Sequence, residues 1–398
     1  MAVAVVATAT TGFRAVVSRE LRFLGRQPWD MALLLWFPAA TLALLLWLFS
    51  TGVPVGLPIA VVDEDHGSAS RELVRRMASM RGLAITAQPE SLEAAQPLVR
   101  SGDVYGVVHI PANWERDRLR NAPQPVVLYD NALFSLVAGV IGGDVRAAVT
   151  SMVVERAVAS EARFGGGLAQ ATARINGVQA DLRTLFNPAL SYEAYLAGML
   201  LPVMLHLFCV VAAVCALGRE FRDRSVDARL ESAGGSLSRA LVGKLAPVLL
   251  VYLMLALLMV AMFAGWRGWT PAGSLVLWII AIAVLMIVSV TVAVMLVGIT
   301  INLRLALSLT GIYVATGLAF SGFSFPRAAM GPAAQWWGAL LPYTFYLPVQ
   351  QGQWLGGASP GAWAQGMAPM LIFIVVPLLV GLPLLHRAVR QPQRWGGR

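Results

Sequence analysis

A polytopic α-helical membrane protein, with an α/β domain inserted between its first and second spans, is the fold class this sequence predicts. Three observations predict it. Composition comes first: 58% of the 398 residues are hydrophobic and 13% are charged, with a mean hydropathy of +0.68, which is outside the range of soluble domains. Run length comes second. One apolar stretch precedes a long polar block and five follow it, each near the roughly twenty residues a bilayer requires. Charge distribution comes third. Segments read as cytoplasmic hold 15 basic and 6 acidic residues, whereas the block 52–193 holds 13 and 15, and Arg267 and Arg327 stand alone in short outer loops. Lys and Arg gather on the inner side of membrane proteins, so the formal charge of +9 follows topology. With no basic stripe interleaved with aromatics, nucleic acid is excluded as a partner.

The elements follow in order. The opening residues lack a basic n-region and a cleavage site, so no signal peptide is expected. Residues 1–28 hold a cytoplasmic amphipathic helix over Phe13–Gln27. Arg14, Ser18, Arg22 and Arg26 recur on one face, with Phe13, Val16, Val17, Leu21 and Leu24 on the other. That pattern suits the inner membrane surface, with Arg14, Arg22 and Arg26 among lipid headgroups. Residues 29–51 form the first transmembrane helix, kinked at Pro38.

Residues 52–190 form the extracytoplasmic α/β domain with a helical stalk. Leu57–Asp63, Leu83–Ala87, Tyr105–Ile110 and Val126–Tyr129 read as strands. Helical stretches fall at Ser68–Met80, Leu92–Arg100 and Trp114–Arg120, and strands alternating with helices predict an α/β layer. From Leu133 to Leu185 the pattern is helical, broken at Gly165–Gly167. Residues 191–217 are the second transmembrane helix, residues 245–325 the third to fifth, and residues 363–385 the sixth. Residues 326–362, rich in Pro and Trp and without Asp, Glu or Lys, suit re-entrant or interfacial helices on the outer side. Trp336, Trp337 and Pro342 in it are candidates for an outer gate. Residues 386–398 form a basic cytoplasmic tail.

Residues 218–244 are a charged island between two apolar runs. They hold Arg219, Arg222, Arg224, Arg229, Arg239 and Lys244 among Glu220, Asp223, Asp227 and Glu231. A central Arg or Asp in hydrocarbon costs roughly 2.5–3.5 kcal/mol, so the island is a cytoplasmic loop, a handle on the spans at either end.

Catalytic chemistry is missing. Gly243–Lys244 superficially suggests a phosphate loop, but Leu245 follows the lysine and Ser238 occupies the first glycine position, so the chain has no ATP site. Asp63, Glu64, Asp65 and His66 follow a strand and precede a helix, where a polar turn with capping carboxylates is expected and a metal is not. His206, mid-span without an acidic partner on its helix, reads as an interhelical hydrogen bond. Cys209 and Cys215 fit neither a disulfide framework nor a metal site. No enzyme, cofactor or metal is expected in this chain.

The ordered set of features resembles the permease subunits of type-2 ABC exporters, in particular the bacterial multidrug-export branch with a large extracytoplasmic domain. The residues that carry the resemblance are Asn187–Pro188, Arg219–Glu220, Gly243–Lys244 with Pro247, Leu341–Pro342, and Ser101–Gly106 followed by Ile110–Pro111. They run over essentially the whole chain. The resemblance implies a multi-pass protein of the bacterial inner membrane with both termini cytoplasmic. It implies a separate ABC ATPase that binds Mg-ATP, a second copy or a paralogue of the permease, and a periplasmic adaptor. It also implies that Arg219, Glu220, Arg222, Asp223, Arg224, Asp227, Gly243 and Lys244 serve a coupling helix, with Glu220, Asp223 and Asp227 pairing with basic residues of the ATPase. The substrate class it implies is hydrophobic or amphipathic: drug-like, lipid or glycolipid. Relatives continue Arg–Glu with Gly–Thr and then Glu–Leu, whereas this chain has Arg224–Ser225 and Asp227 with Leu230.

Two rival classes were weighed. A membrane-anchored binding or assembly protein, holding a partner on the outer domain, needs neither five closely spaced spans nor a charged inner loop. A proton-driven carrier needs buried carboxylates and an internal repeat, and the second to sixth spans carry no Asp or Glu at their centres.

Overall fold

The computed structural model describes residues 12–50, 54–119, 125–130, 135–162, 192–323 and 325–395. The chain start, Gly165–Gly167, Asn187–Pro188 and Arg398 lie outside the described residues. The chain divides into two compact units, 49–195 and the remainder.

In the 49–195 unit a four-stranded sheet has the order β2-β1-β3-β4, where β1 is Leu57–Asp63, β2 Leu83–Ala87, β3 Gly106–Ile110 and β4 Val127–Asp130. β1 pairs in parallel with both β2 and β3, and β4 runs antiparallel to β3. β1 is buried on both faces, which is why it reads as a continuous apolar run rather than an alternating one. Leu57, Ile59 and Val61 meet Leu73 and Met77 of a helix over Ser68–Ser79, and Val140, Ile141, Val145 and Met152 of a long helix over Ser135–Ala162. Ala60, Val62 and Val107 meet Ala95 of the helix Leu92–Ser101 on the other face. The Asp63–His66 turn is closed by its own aspartate, while the carboxylate that caps the following helix is Glu115, from outside the turn. Asp63 Oδ1 accepts the amides of Asp65 and His66, and Glu115 accepts those of Ser68 and Ala69 at the helix start. Among the described residues no group of three or more His, Cys, Asp or Glu is arranged to hold a metal.

Among the described residues seven helices are long and apolar enough to cross a membrane, which makes the chain a multi-pass helical membrane protein. One of the seven, Val137–Glu155, lies in the 49–195 unit. Its apolar stripe is the one that covers the sheet, and its Asp144 accepts the amide of Gly82 at the start of β2.

The other unit contains the remaining six. We label Phe13–Leu24 α1, Pro28–Leu48 α2, Tyr192–Arg222 α3, Val226–Ser232 α4 and Leu237–Ala261 α5. Leu275–Thr300 is α6, Leu303–Phe320 α7, Pro332–Ala339 α8, Tyr343–Trp354 α9 and Pro360–Val389 α10. α1 ends at Leu24, short of the expected Gln27. Gly25 caps it, and Pro28 forces Gln27 out of the helical region, to φ −114° and ψ 97°. The backbones of α6 and α10 approach so closely that a side chain on Gly298 would meet Gly381 O at 2.8 Å.

Prolines inside these helices leave carbonyls without their N–H donors, and at three of them a side chain of a neighbouring helix supplies one. Pro202 in α3 vacates Gly198 O, which accepts from the buried Gln350 amide of α9. Pro377 in α10 vacates Phe373 O, which accepts from Thr291 of α6 at 3.0 Å. In α2 the Phe37 amide donates to Ala32 O in a π turn. In that frame Leu33 O would need the amide that Pro38 lacks, and it accepts from Tyr252 of α5 at 3.1 Å. Each link ties two helices together where no backbone bond could. His206 on α3 adds a fourth, between its Nδ1 and Ser289 Oγ of α6 at 2.7 Å. Ser289 Oγ also lies 2.7 Å from Leu285 O on its own helix.

Candidate functional site

The charged island is a short, tightly held helix joining two long ones. α3 continues as a helix through Arg219, Glu220 and Phe221 to Arg222, and a single left-handed residue, Arg224 at φ 52°, turns the chain into α4. The amide of Ser225 bonds back to Glu220 O at 2.9 Å, closing the α3 end. α4 ends at Gly234 and Gly235, both at positive φ, and Ser236 caps α5 by accepting from the Arg239 amide. The sequence SAGGS therefore encodes the second turn.

The eight candidate coupling residues separate into two groups. Arg219, Glu220, Gly243 and Lys244 are buried, while Arg222, Asp223, Arg224 and Asp227 are exposed. The exposed four lie along the α3–α4 turn and the first turn of α4. Arg222 and Asp223 hold each other in a two-bond pair, which at such exposure adds little stability.

The buried four form a node with α1. Lys244 Nζ donates to Glu220 and, at 2.7 Å, to Glu20 Oε2; Arg219 donates to Glu20 and to Asp30. The Arg219 guanidinium also lies 3.9 Å over the Phe23 ring. Arg19 reaches Glu220 Oε2 at 3.3 Å, and Ser225 donates to the same oxygen. Both Glu220 oxygens are thus engaged inside the chain. The carboxylate sits under α1 with three donors on it, from Lys244, Arg19 and Ser225. Gly243 is where α1 crosses α5: a Cβ there would lie 2.8 Å from Val16 Cβ and 3.4 Å from Phe13 O. The Gly–Lys pair has a physical logic, the glycine admitting α1 and the lysine neutralising the two carboxylates brought together by that approach.

Arg229 of α4 joins the same neighbourhood and is 1% exposed. Burial pushes its guanidinium below the usual arginine range, and Glu220 and Glu20 pull it back. Among the described residues its Nε and Nη1 have no hydrogen-bond partner; with it, four cations (Arg19, Arg219, Arg229, Lys244) stand near the three carboxylates Glu20, Asp30 and Glu220. α1 is further fastened to α4 by the Gly12 amide on Ser232 O at 2.8 Å.

Sequence reasoning missed Glu20, Arg19 and Asp30. The available signal was Glu20 itself, four residues from Val16 and four from Leu24 within the apolar stripe, an acid placed where only a buried cation could satisfy it. The apolar face divides accordingly: Val16, Glu20 and Leu24 are buried, and Phe13 and Leu21 are exposed. Arg14 and Arg22 lie exposed on α1, and Arg26 lies exposed in the turn after it.

The three candidate gate residues have different settings. Trp336 on α8 is exposed, Trp337 donates to Thr316 Oγ of α7 at 3.0 Å, and Pro342 is buried at the start of α9. The dominant aromatic feature in that region is Trp354, which stacks with Phe263 at 5.6 Å and with Trp278 at 5.7 Å. It fits against α3 because position 198 is glycine; a Cβ there would lie 2.0 Å from the indole.

Comparison with known proteins identifies the family of the chain. Residues 29–382 match the family model described as ABC-2 family transporter protein. Over 272 residues the chain is 22% identical to a probable multidrug ABC transporter permease, YbhR, of Escherichia coli strain K12, covering 68% of this chain and 69% of that protein. The protein of the same name from Escherichia coli O157:H7 matches to the same extent.

Proposed function

The chain belongs to the ABC-2 transporter family, and from that premise we propose that it is the membrane-spanning permease subunit of an ATP-driven exporter. A separate cytoplasmic ATPase, which binds Mg-ATP, docks on the exposed face of the α3–α4 turn. Two copies of the chain, or one copy and a paralogue, form the pathway in the bacterial inner membrane, with both termini cytoplasmic. Six of the seven apolar helices cross the bilayer in this reading. The seventh is read as a domain helix because its apolar stripe already serves the sheet. The 49–195 unit then lies outside the cell membrane, where it can dock a periplasmic adaptor, and Trp336, Trp337 and Pro342 fall on the exit side. The substrate is hydrophobic or amphipathic, in keeping with spans that carry no acid at their centres.

The observation that carries the reading is the buried node. Ions are costly to desolvate, and a merely solvated loop has no reason to bury Arg219, Glu220 and Lys244. Bound to Glu20 and Asp30, they weld the loop to the ends of α3 and α5 and to α1. A push on α4 therefore reaches two spans and the surface helix together, with Arg222, Asp223, Arg224 and Asp227 making the contact. Purification of the detergent-solubilised protein from its native membrane, followed by mass spectrometry, tests this. The expected result is a stoichiometric ATPase bearing Walker motifs, lost in Asp223→Arg/Asp227→Arg with the permease still folded. A clean preparation without an ATPase, still able to bind an outer ligand, would replace the reading with a membrane-anchored binding protein.

A further inference from the structure

Beyond α10 the chain folds back onto the loop at Trp395. After α10 ends at Val389, Pro392–Arg394 make one 3-10 turn, and Trp395 returns to the protein with only 4% of its surface exposed. Its indole N–H donates to Ala388 O at 2.8 Å, a carbonyl of the last α10 turn that also accepts the Gln391 amide at 3.0 Å. Its ring meets the Phe221 ring edge-on, with centroids 6.2 Å apart and planes at 77°. Phe221 itself is 1% exposed and is the last buried residue of α3 before the turn. From the other side Arg224 donates to Trp395 O at 3.5 Å. Arg224 does so from a left-handed backbone, a conformation unfavourable for an L side chain. A tail that merely trailed into solvent would bury no indole and would contact no loop residue.

We infer that Trp395 is a positioning residue for coupling: it latches the end of α10 to the α3–α4 turn, so that displacement of the loop is handed to the last span as well as to α3 and α5. The inference rests on the proposed function. The ion-pair node connects the loop to α1 and α5 on one side, and the Trp395 latch connects it to α10 on the other. Without the latch the loop still docks its ATPase, because the exposed residues are unchanged, but part of each stroke is lost as local movement of the turn.

The test uses the full chain as Trp395→Ala and Trp395→Phe, each alone and co-expressed with the ATPase that co-purifies with the wild type. Amide exchange over 219–232 reports the latch without needing the ATPase. The expected result is exchange roughly tenfold faster in W395A, with W395F close to wild type because a ring on Phe221 remains. In proteoliposomes containing both subunits, W395A should retain the ATPase and hydrolyse ATP, while ethidium extruded per ATP falls several-fold and W395F restores it. Unchanged exchange in W395A would overturn the latch, and unchanged ethidium per ATP would overturn its role in coupling. A wild-type preparation that binds no ATPase overturns the proposed function and the coupling role with it. That failure shows in the wild type, whereas failure of the latch alone shows only in the variant.

Discussion

Glu20 offers the sharpest test of the node. Its carboxylate takes Arg219 on one oxygen and Lys244 on the other, from a position 3% exposed. Glu20→Gln keeps the shape and deletes the charge. Breaking a buried pair by removing one partner costs about 3–5 kcal/mol when the surviving charge is stranded. Here neither survivor is fully stranded, since Lys244 keeps Glu220 and Arg219 keeps Asp30. The lower end applies, about 3 kcal/mol, or roughly a hundredfold in the balance between docked and undocked α1. Amide exchange over 13–24, followed by mass spectrometry in detergent, reads this balance directly. Glu20→Leu with Lys244→Met should recover most of the loss, because paired apolar replacements remove both charges at once. Exchange in E20Q within about a factor of two of wild type would refute the reasoning. So would a double variant as loose as the single one, because the charge balance would then not be what holds α1.

Further expectations concern packing, orphaned carbonyls and the turn. Gly243→Ala should loosen α1 by about 1–3 kcal/mol, since its methyl would overlap Val16; exchange over 13–24 and thermal unfolding in detergent check it. Gln350→Leu should cost about 1–3 kcal/mol by leaving Gly198 O unpaired. Adding Pro202→Ala should return much of that by restoring the backbone donor, and a thermal melt showing no recovery would contradict the assignment. Thr291→Val should cost about 1 kcal/mol through Phe373 O, measured in the same way. Arg224→Gly should relieve about 1 kcal/mol of backbone strain while losing the bond to Trp395, so its melting point should stay near wild type while exchange over 219–232 rises.

Much of the membrane unit was legible because its signals are local. Runs such as Leu275–Thr300 declare themselves by length and hydropathy, and the Gly234–Gly235–Ser236 sequence declares a turn followed by a cap. β1 was legible as LPIAVVD, but the strand order was not, since order depends on which crossovers close over which face. That residues 218–244 fold outside the apolar spans could be read from their charges. The division of those charges into buried and exposed members could not, because it depends on α1, some two hundred residues away in sequence. Glu20 illustrates the difficulty: as one acid on an amphipathic helix it resembles surface chemistry until Lys244 and Arg219 are placed beneath it. Trp395 was hidden for the same reason, an aromatic in a basic tail with no local periodicity to mark its burial. The Val137–Glu155 helix shows the converse, since hydropathy alone cannot distinguish a helix that covers a sheet from one that faces lipid.

The proline-vacated carbonyls also set a timetable for making the protein. Gly198 O waits for Gln350, 152 residues later in the chain, and Leu33 O waits for Tyr252, 219 residues later. At about 5–20 residues per second of synthesis, α3 is complete for roughly six to twenty-six seconds before its amide donor exists. During that interval a kinked helix with an unmet carbonyl has to be held somewhere other than free hydrocarbon, at the insertion machinery or against a water-lined surface. A chain arrested before residue 350 should therefore retain α3 in an environment accessible to water, and release it to lipid only when α9 arrives.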